Sequence, residues 1–83
     1  MTLDSATLTR ASRSLRGYNM AGRQQARDEA HAALSDLILE AQAQGDEEAF
    51  NVLNHARDLL GLGPAQANDA DNLLDALARS RRT

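Results

Sequence analysis

The stretch ARDEAHAALSDLILEAQAQGDEEAFNVLNHARDLL, residues 26–60, decides the fold. Within it Ala26, Ala30, Ala33, Leu34, Leu37, Ile38 and Ala41 recur at the i, i+3, i+4, i+7 spacing that gathers apolar side chains on one arc of a helix. Gly45 interrupts the pattern. Asp46 then reads as an N-cap, and Glu47 and Glu48 occupy the first turn, where the helix dipole favours negative charge. Ala49, Val52, Leu53, Ala56, Leu59 and Leu60 make the apolar side of the helix that follows, with Phe50 at its edge. Two such helices with so short a break between them fold back on each other, so an antiparallel hairpin is expected over Met20 to Leu60, its helices covering 20–44 and 46–60.

Upstream of the hairpin, Leu8, Ala11 and Leu15 share one face of a helix expected over 3–16. Thr2 or Asp4 is its N-cap candidate, and Gly17 stands where a left-handed residue ends a helix. Downstream, Gly61-Leu-Gly-Pro64 reads as a turn, because proline is tolerated in the first turn of a helix, where its missing N–H is not needed. Asn68 or Asp69 is a rival cap. Ala70, Leu73, Leu74 and Leu77 form a narrow stripe flanked by Asp69, Asp71 and Asp75 on a helix expected over 64–80. Arg79, Arg81 and Arg82 close it with charge suited to a helix C-terminus, and the last residues are expected to be loose. The fold class is therefore all-α, a small bundle of three to four helices built on the central hairpin, in a single helical domain over 1–83. The run from Ala43 to Leu53 resembles the turn and following helix of a tetratricopeptide unit; it covers less than one unit, without the expected spacing to the next Ala and Pro, and is read as a generic hairpin.

Composition limits what such a bundle can do. A chain of 83 residues buries only about 60 to 65% of its unfolded surface. Of its 35 hydrophobic residues 16 are Ala and 13 Leu, with one Phe, one Tyr and no Trp, so the core is thin and association with a partner or a second copy is an expected remedy. The absence of Cys excludes disulfides and thiolate chemistry. No apolar run is long enough for a membrane span, and Met1 to Arg16 lacks the apolar core of a signal peptide, so no membrane contact and a cytoplasmic location are expected.

Net charge is −3, yet the charge is unevenly laid out. All nine basic residues are Arg, and eight fall within Arg10–Arg27 and Arg79–Arg82, leaving the middle acidic. Arg10, Arg13 and Arg16 recur at i, i+3, i+6 as a basic ridge, and Arg23 and Arg27 continue it beyond Gly17. Such a ridge suits phosphate contacts; as a solvated face balanced by the acidic middle of the same molecule or of a dimer mate it needs no function. Arg23 projects onto the apolar line of the second helix, where a charge must lie beyond the core or be paired.

Catalysis requires a converging set of reactive groups, and none is apparent in the sequence. His31 with Asp28 and His55 with Asp58 are i, i+3 neighbours that fall short of a metal site, and Asp46-Glu47-Glu48 has a sufficient structural reason at its helix start. Gly61-x-Gly63 follows a helix, unlike phosphate loops, which follow strands. No catalytic residue, cofactor or metal is assigned. A DNA-reading hairpin is disfavoured because three carboxylates would stand where a recognition helix meets phosphates. Leu39, opposite the main stripe, and Leu59 with Val52, which widen the arc of their helix, suggest a further contact surface; His55 stands beside Leu59 at its margin.

The expected function is that of a non-enzymatic binding or regulatory protein, an accessory inhibitor of the phage or mobile-element type that blocks a host macromolecule through surface contacts. Arg10, Arg13, Arg16, Arg23, Arg27, Leu39, His55 and Leu59 are its candidate contact residues. A protein partner ranks first. A nucleic-acid-associated regulator using Arg10 to Arg27, and a homo-oligomeric module such as a homodimer, are the alternatives.

Overall fold

The computed structural model describes residues 2–82; Met1 and Thr83, included in the expected domain span, lie outside the described residues. Four helices and no strand occur among the described residues: α1 (Ser5–Ala21), α2 (Gln24–Gln44), α3 (Glu47–Leu60) and α4 (Pro64–Ser80). Each helix packs on its neighbour in sequence, and α1 packs most extensively on α4, which closes the four into a ring. The radius of gyration is 11.5 Å, against about 12 Å for a compact chain of this length.

The helix ends follow from their caps. Asp4 takes the amide of Thr7 on Oδ1 at 2.8 Å and starts α1, two residues later than expected, because Leu3 is drawn into the core instead. Gly17 does not end α1. The buried stripe Leu8, Ala11, Leu15 continues to Tyr18 one turn further on, and burying that ring outweighs the roughly 1 kcal/mol that a mid-helix glycine costs. Termination comes at Gly22, left-handed at φ 63°, whose amide donates to the Tyr18 carbonyl at 2.7 Å. As a result α2 begins at Gln24 rather than near Met20, which is left 81% exposed. Gly45, at φ 70°, ends α2 as expected, and Asp46 caps α3 by accepting the Ala49 amide at 3.2 Å. Pro64 sits in the first turn of α4 as the sequence implies.

Eight Ala and eight Leu, with Tyr18 and Ile38, make up the buried apolar core among the described residues. The small residues let the helices approach, and Leu8, Leu15, Leu34, Leu53, Leu60 and Leu74 fill the space between them, all fully enclosed. The arc read on the second helix is the one buried: Ala30, Leu34, Ile38 and Ala41 inside, Ala26 and Leu37 half-buried beside them.

One polar assembly ties three separate parts of the chain. Asp46 Oδ2 accepts the Leu3 amide at 3.0 Å and Arg81 Nη1 at 2.7 Å, while its Oδ1 accepts the Ala49 amide and Arg81 Nη2 at 2.9 Å. Arg81 also donates to the Leu3 carbonyl at 2.9 Å and to Glu48 Oε1 at 3.3 Å. The side chains of Asp46 and Arg81 are only 2% and 15% exposed. Arg81 is thus pinned, in contrast to the loose end expected. Its guanidinium, and then the Leu3 and Ala49 amides, hold the Asp46 carboxyl well below the usual carboxylate range against the opposing effect of burial. Asp46 in turn raises the pKa of Arg81.

Two outcomes are expected in urea unfolding. Arg81→Ala should lower the unfolding free energy by about 3 kcal/mol, the low end for breaking a buried ion pair, because Asp46 is left charged and enclosed. The contribution of the pair depends on an acid whose folded pKa is depressed, so it is present above the unfolded value of about 3.9 and lost as the pH falls below it. The stability gap between wild type and Asp46→Asn should therefore narrow on acidification from pH 7, and a constant gap would refute the assignment. Separately, a Cβ added at Gly17 meets nothing within 4 Å, so Gly17→Ala should stabilise by roughly 0.5–1 kcal/mol, whereas Gly22→Ala should destabilise.

Candidate functional site

The buried polar residues Ser12, Asp46 and Asp71 join helices, whereas the buried Thr9 Oγ1 and Gln44 Oε1 have no hydrogen-bond partner. Ser12 and Asp71, both buried, hydrogen-bond across the α1–α4 interface, and Arg16 Nε reaches the other Asp71 oxygen at 3.1 Å. Asp71, by its spacing a charge flanking the apolar stripe of α4, is the second polar tie of the bundle. The exposed Arg79 pairs with Asp75 at 2.9 Å on the surface of α4.

Of the basic ridge, Arg10 and Arg13 are exposed on the N-terminal half of α1, but Arg16 is engaged with Asp71. Because α1 runs on to Ala21, Arg23 stands between two helices, exposed, in the N-cap position of α2 without a side-chain capping bond. Its place before the helix explains how a charge can fall on that apolar line. Arg27 follows, half-buried, in the first turn. Eleven residues of helix separate Arg10 from Ala21, about 16 Å of rise, so Arg23 and Arg27 belong to the opposite end of the α1–α2 hairpin from the start of α1. The structure divides the Arg10–Arg27 set into two groups.

Arg82, in sequence only a helix-terminal charge, joins the first of these groups. Arg82 donates from Nε to Ser5 Oγ at 3.4 Å, and with Ser5, Ala6, Thr9, Arg10 and Arg13 it lines an open groove between the start of α1 and the end of α4. Arg10 donates to Thr7 Oγ1 at 3.5 Å, and its charge helps the Thr7 side chain and amide to lower the pKa of Asp4. A second groove, between α1 and α2, has Ala11, Ala33 and Leu37 in it, with Arg10 contributed by one helix and Asp36 and Glu40 by the other.

His55 is exposed and Leu59 half-buried, and the two share a third groove, between α3 and α4, with Asp69, Asn72, Leu73 and Ala76. Leu39 is 65% exposed on α2 and lines none of these three grooves. His31 is exposed on α2, and no group of three or more His, Cys, Asp or Glu among the described residues is arranged to hold a metal ion. No helix among them is long and apolar enough to cross a membrane. What these surfaces offer is a cationic groove suited to carboxylate or phosphate oxygens and an apolar one suited to leucine-sized side chains.

Comparison with protein-family models, with curated proteins and with solved structures finds no match to this chain.

The Ser12–Asp71 tie has a direct test. Asp71→Ala should cost about 2 kcal/mol, because it leaves the Ser12 hydroxyl enclosed without a partner, and adding Ser12→Ala should recover part of that loss. Two strictly additive losses in a double-mutant cycle would show that these side chains do not interact.

Proposed function

We propose that this chain is a non-enzymatic binding protein that engages a macromolecular partner, a protein in the first instance, through the outer faces of its helices. The observation that carries this reading is the division of polar groups. Enclosed ones such as Asp46, Arg81, Asp71 and Ser12 are bonded to one another, while Arg10, Arg13 and Arg82 gather around an open groove. A regulatory or inhibitory role belongs to the same proposal, because a small bundle that recognises by surface acts most simply by occluding part of what it binds. A cytoplasmic setting and a phage or mobile-element origin complete it as parts of the same reading.

A second reading, a homo-oligomer, is favoured by a separate observation. Leu59 and Leu73 remain half-buried in the α3–α4 groove, and Leu62, in the turn joining those helices, is 71% exposed. A thin core gains from covering such side chains.

The test uses the full chain as bait in extract of its native host, beside an Arg10→Glu/Arg13→Glu variant. A protein retained by the wild type, and forming a stoichiometric complex with it when both are purified, is the expected result. Failure to retain any protein above the bare support would overturn the primary reading. Sedimentation at micromolar concentration decides the second reading, and a monomer there removes it.

A further inference from the structure

The reading of the chain as a protein-binding module can be taken further at the α1–α4 groove. We propose that this groove is the docking site for an acidic segment of the partner protein, whose carboxylates are held by the guanidinium groups of Arg10, Arg13 and Arg82.

The three arginines come from the two ends of the chain and line one groove. Arg10 and Arg13 are successive residues of one helix face, about 4.5 Å apart in rise, so two carboxylates on an extended or helical segment can be met at once. Their neighbours on the same two helices are already neutralised: Arg16 by Asp71, Arg79 by Asp75, Arg81 by Asp46 and Glu48. Among the described residues, Arg10, Arg13 and Arg82 have no carboxylate within ion-pair distance. Arg10 and Arg82 make only long contacts, with Thr7 Oγ1 at 3.5 Å and Ser5 Oγ at 3.4 Å, so nearly all of their N–H groups are left to donate to a ligand. Thr9 is also in the lining, though its hydroxyl oxygen is enclosed in the bundle, without a hydrogen-bond partner, and offers no contact to a ligand.

The charge around the groove favours a short acidic peptide segment over a nucleic acid. A duplex presents about one negative charge per 1.7 Å of its axis and would extend past the three guanidiniums. Asp36 and Glu40 stand across the neighbouring groove from Arg10, and the whole chain carries −3, so a long polyanion meets repulsion where a short segment does not. Asp4 already feels the charge of Arg10, so one or two carboxylates of a docked segment match what the three guanidiniums leave uncompensated.

The experiment titrates the full-length, isotope-labelled protein with capped hexaglutamate, with hexaglutamine as the uncharged control and a short DNA duplex as the rival polyanion, following arginine Nε–Hε and backbone amide resonances. Hexaglutamate should give saturable shifts at Arg10, Arg13 and Arg82, and hexaglutamine none. Arg13→Glu/Arg82→Glu should weaken binding by roughly tenfold, as the loss of exposed ion pairs implies, while Arg57→Glu leaves it unchanged. Both altered side chains are exposed, and the wild-type titration decides the matter even for a variant that folds poorly. Absence of saturable shifts at millimolar hexaglutamate overturns the proposal, as do equal shifts at Arg23, Arg27 and Arg57, or tighter binding of the duplex at the same resonances. A protein partner still captured by an Arg13→Glu/Arg82→Glu variant that no longer binds hexaglutamate would sink this site while leaving the protein-binding reading intact.

Discussion

The carboxylate of Asp46 is the constraint on which the bundle turns. It accepts four hydrogen bonds, two on each oxygen, from Leu3, Ala49 and both terminal nitrogens of Arg81. Three roles meet in one side chain: capping α3, fixing the segment that leads into α1, and anchoring the end of α4. An enclosed carboxylate is costly unless all its lone pairs are used, and here they are. The result is specification of register as much as stability, since the charge is satisfied only when the three parts of the chain arrive together.

Such a device suits a core made largely of alanine and leucine. Alanine faces allow close approach but distinguish poorly between one register and the next, because small side chains interdigitate with little selectivity. Ser12 and Asp71 add a second fixed point along the α1–α4 interface, with Arg16 covering it from the solvent side. One tie lies within the α1–α4 interface and the other just beyond it, where the segment before α1 and the residue after α4 meet the cap of α3. Together they set both translation and rotation of α1 against α4, and that alignment is what brings Arg10, Arg13 and Arg82 around one groove.

Most of the architecture was legible in the sequence because it is local. The apolar arc from Ala26 to Ala41, the Gly45-Asp46 junction and Pro64 each state their structure within a few residues, and the helices they imply are present. Gly17 has the local signature of a helix end, but the burial of Tyr18 continues the stripe and carries the helix to Gly22, an effect of tertiary packing that no local pattern states. That shift alone moves Arg23 out of the helix and separates Arg23 and Arg27 from the ridge. The role of Arg81 had no local signature at all: a terminal arginine and a capping aspartate 35 residues away look like two independent helix-end charges until the fold joins them. Arg16 and Arg82 exchanged places for the same reason, one spent on Asp71 and the other brought in beside Arg10 by a contact between the ends of the described chain.

The placement of those ends bears on how the molecule yields to force. The antiparallel course of α1 and α4, seen in the Ser12–Asp71 and Ser5–Arg82 contacts, puts Leu3 beside Arg81, so tension drawn through the two ends pulls directly outward on the tie between them. The bonds are then loaded one after another, like teeth of an opening zip, instead of sharing the load in shear. Resistance to force applied between Leu3 and Arg81 is then a matter of unfolding rate more than of the equilibrium stability of the leucine core.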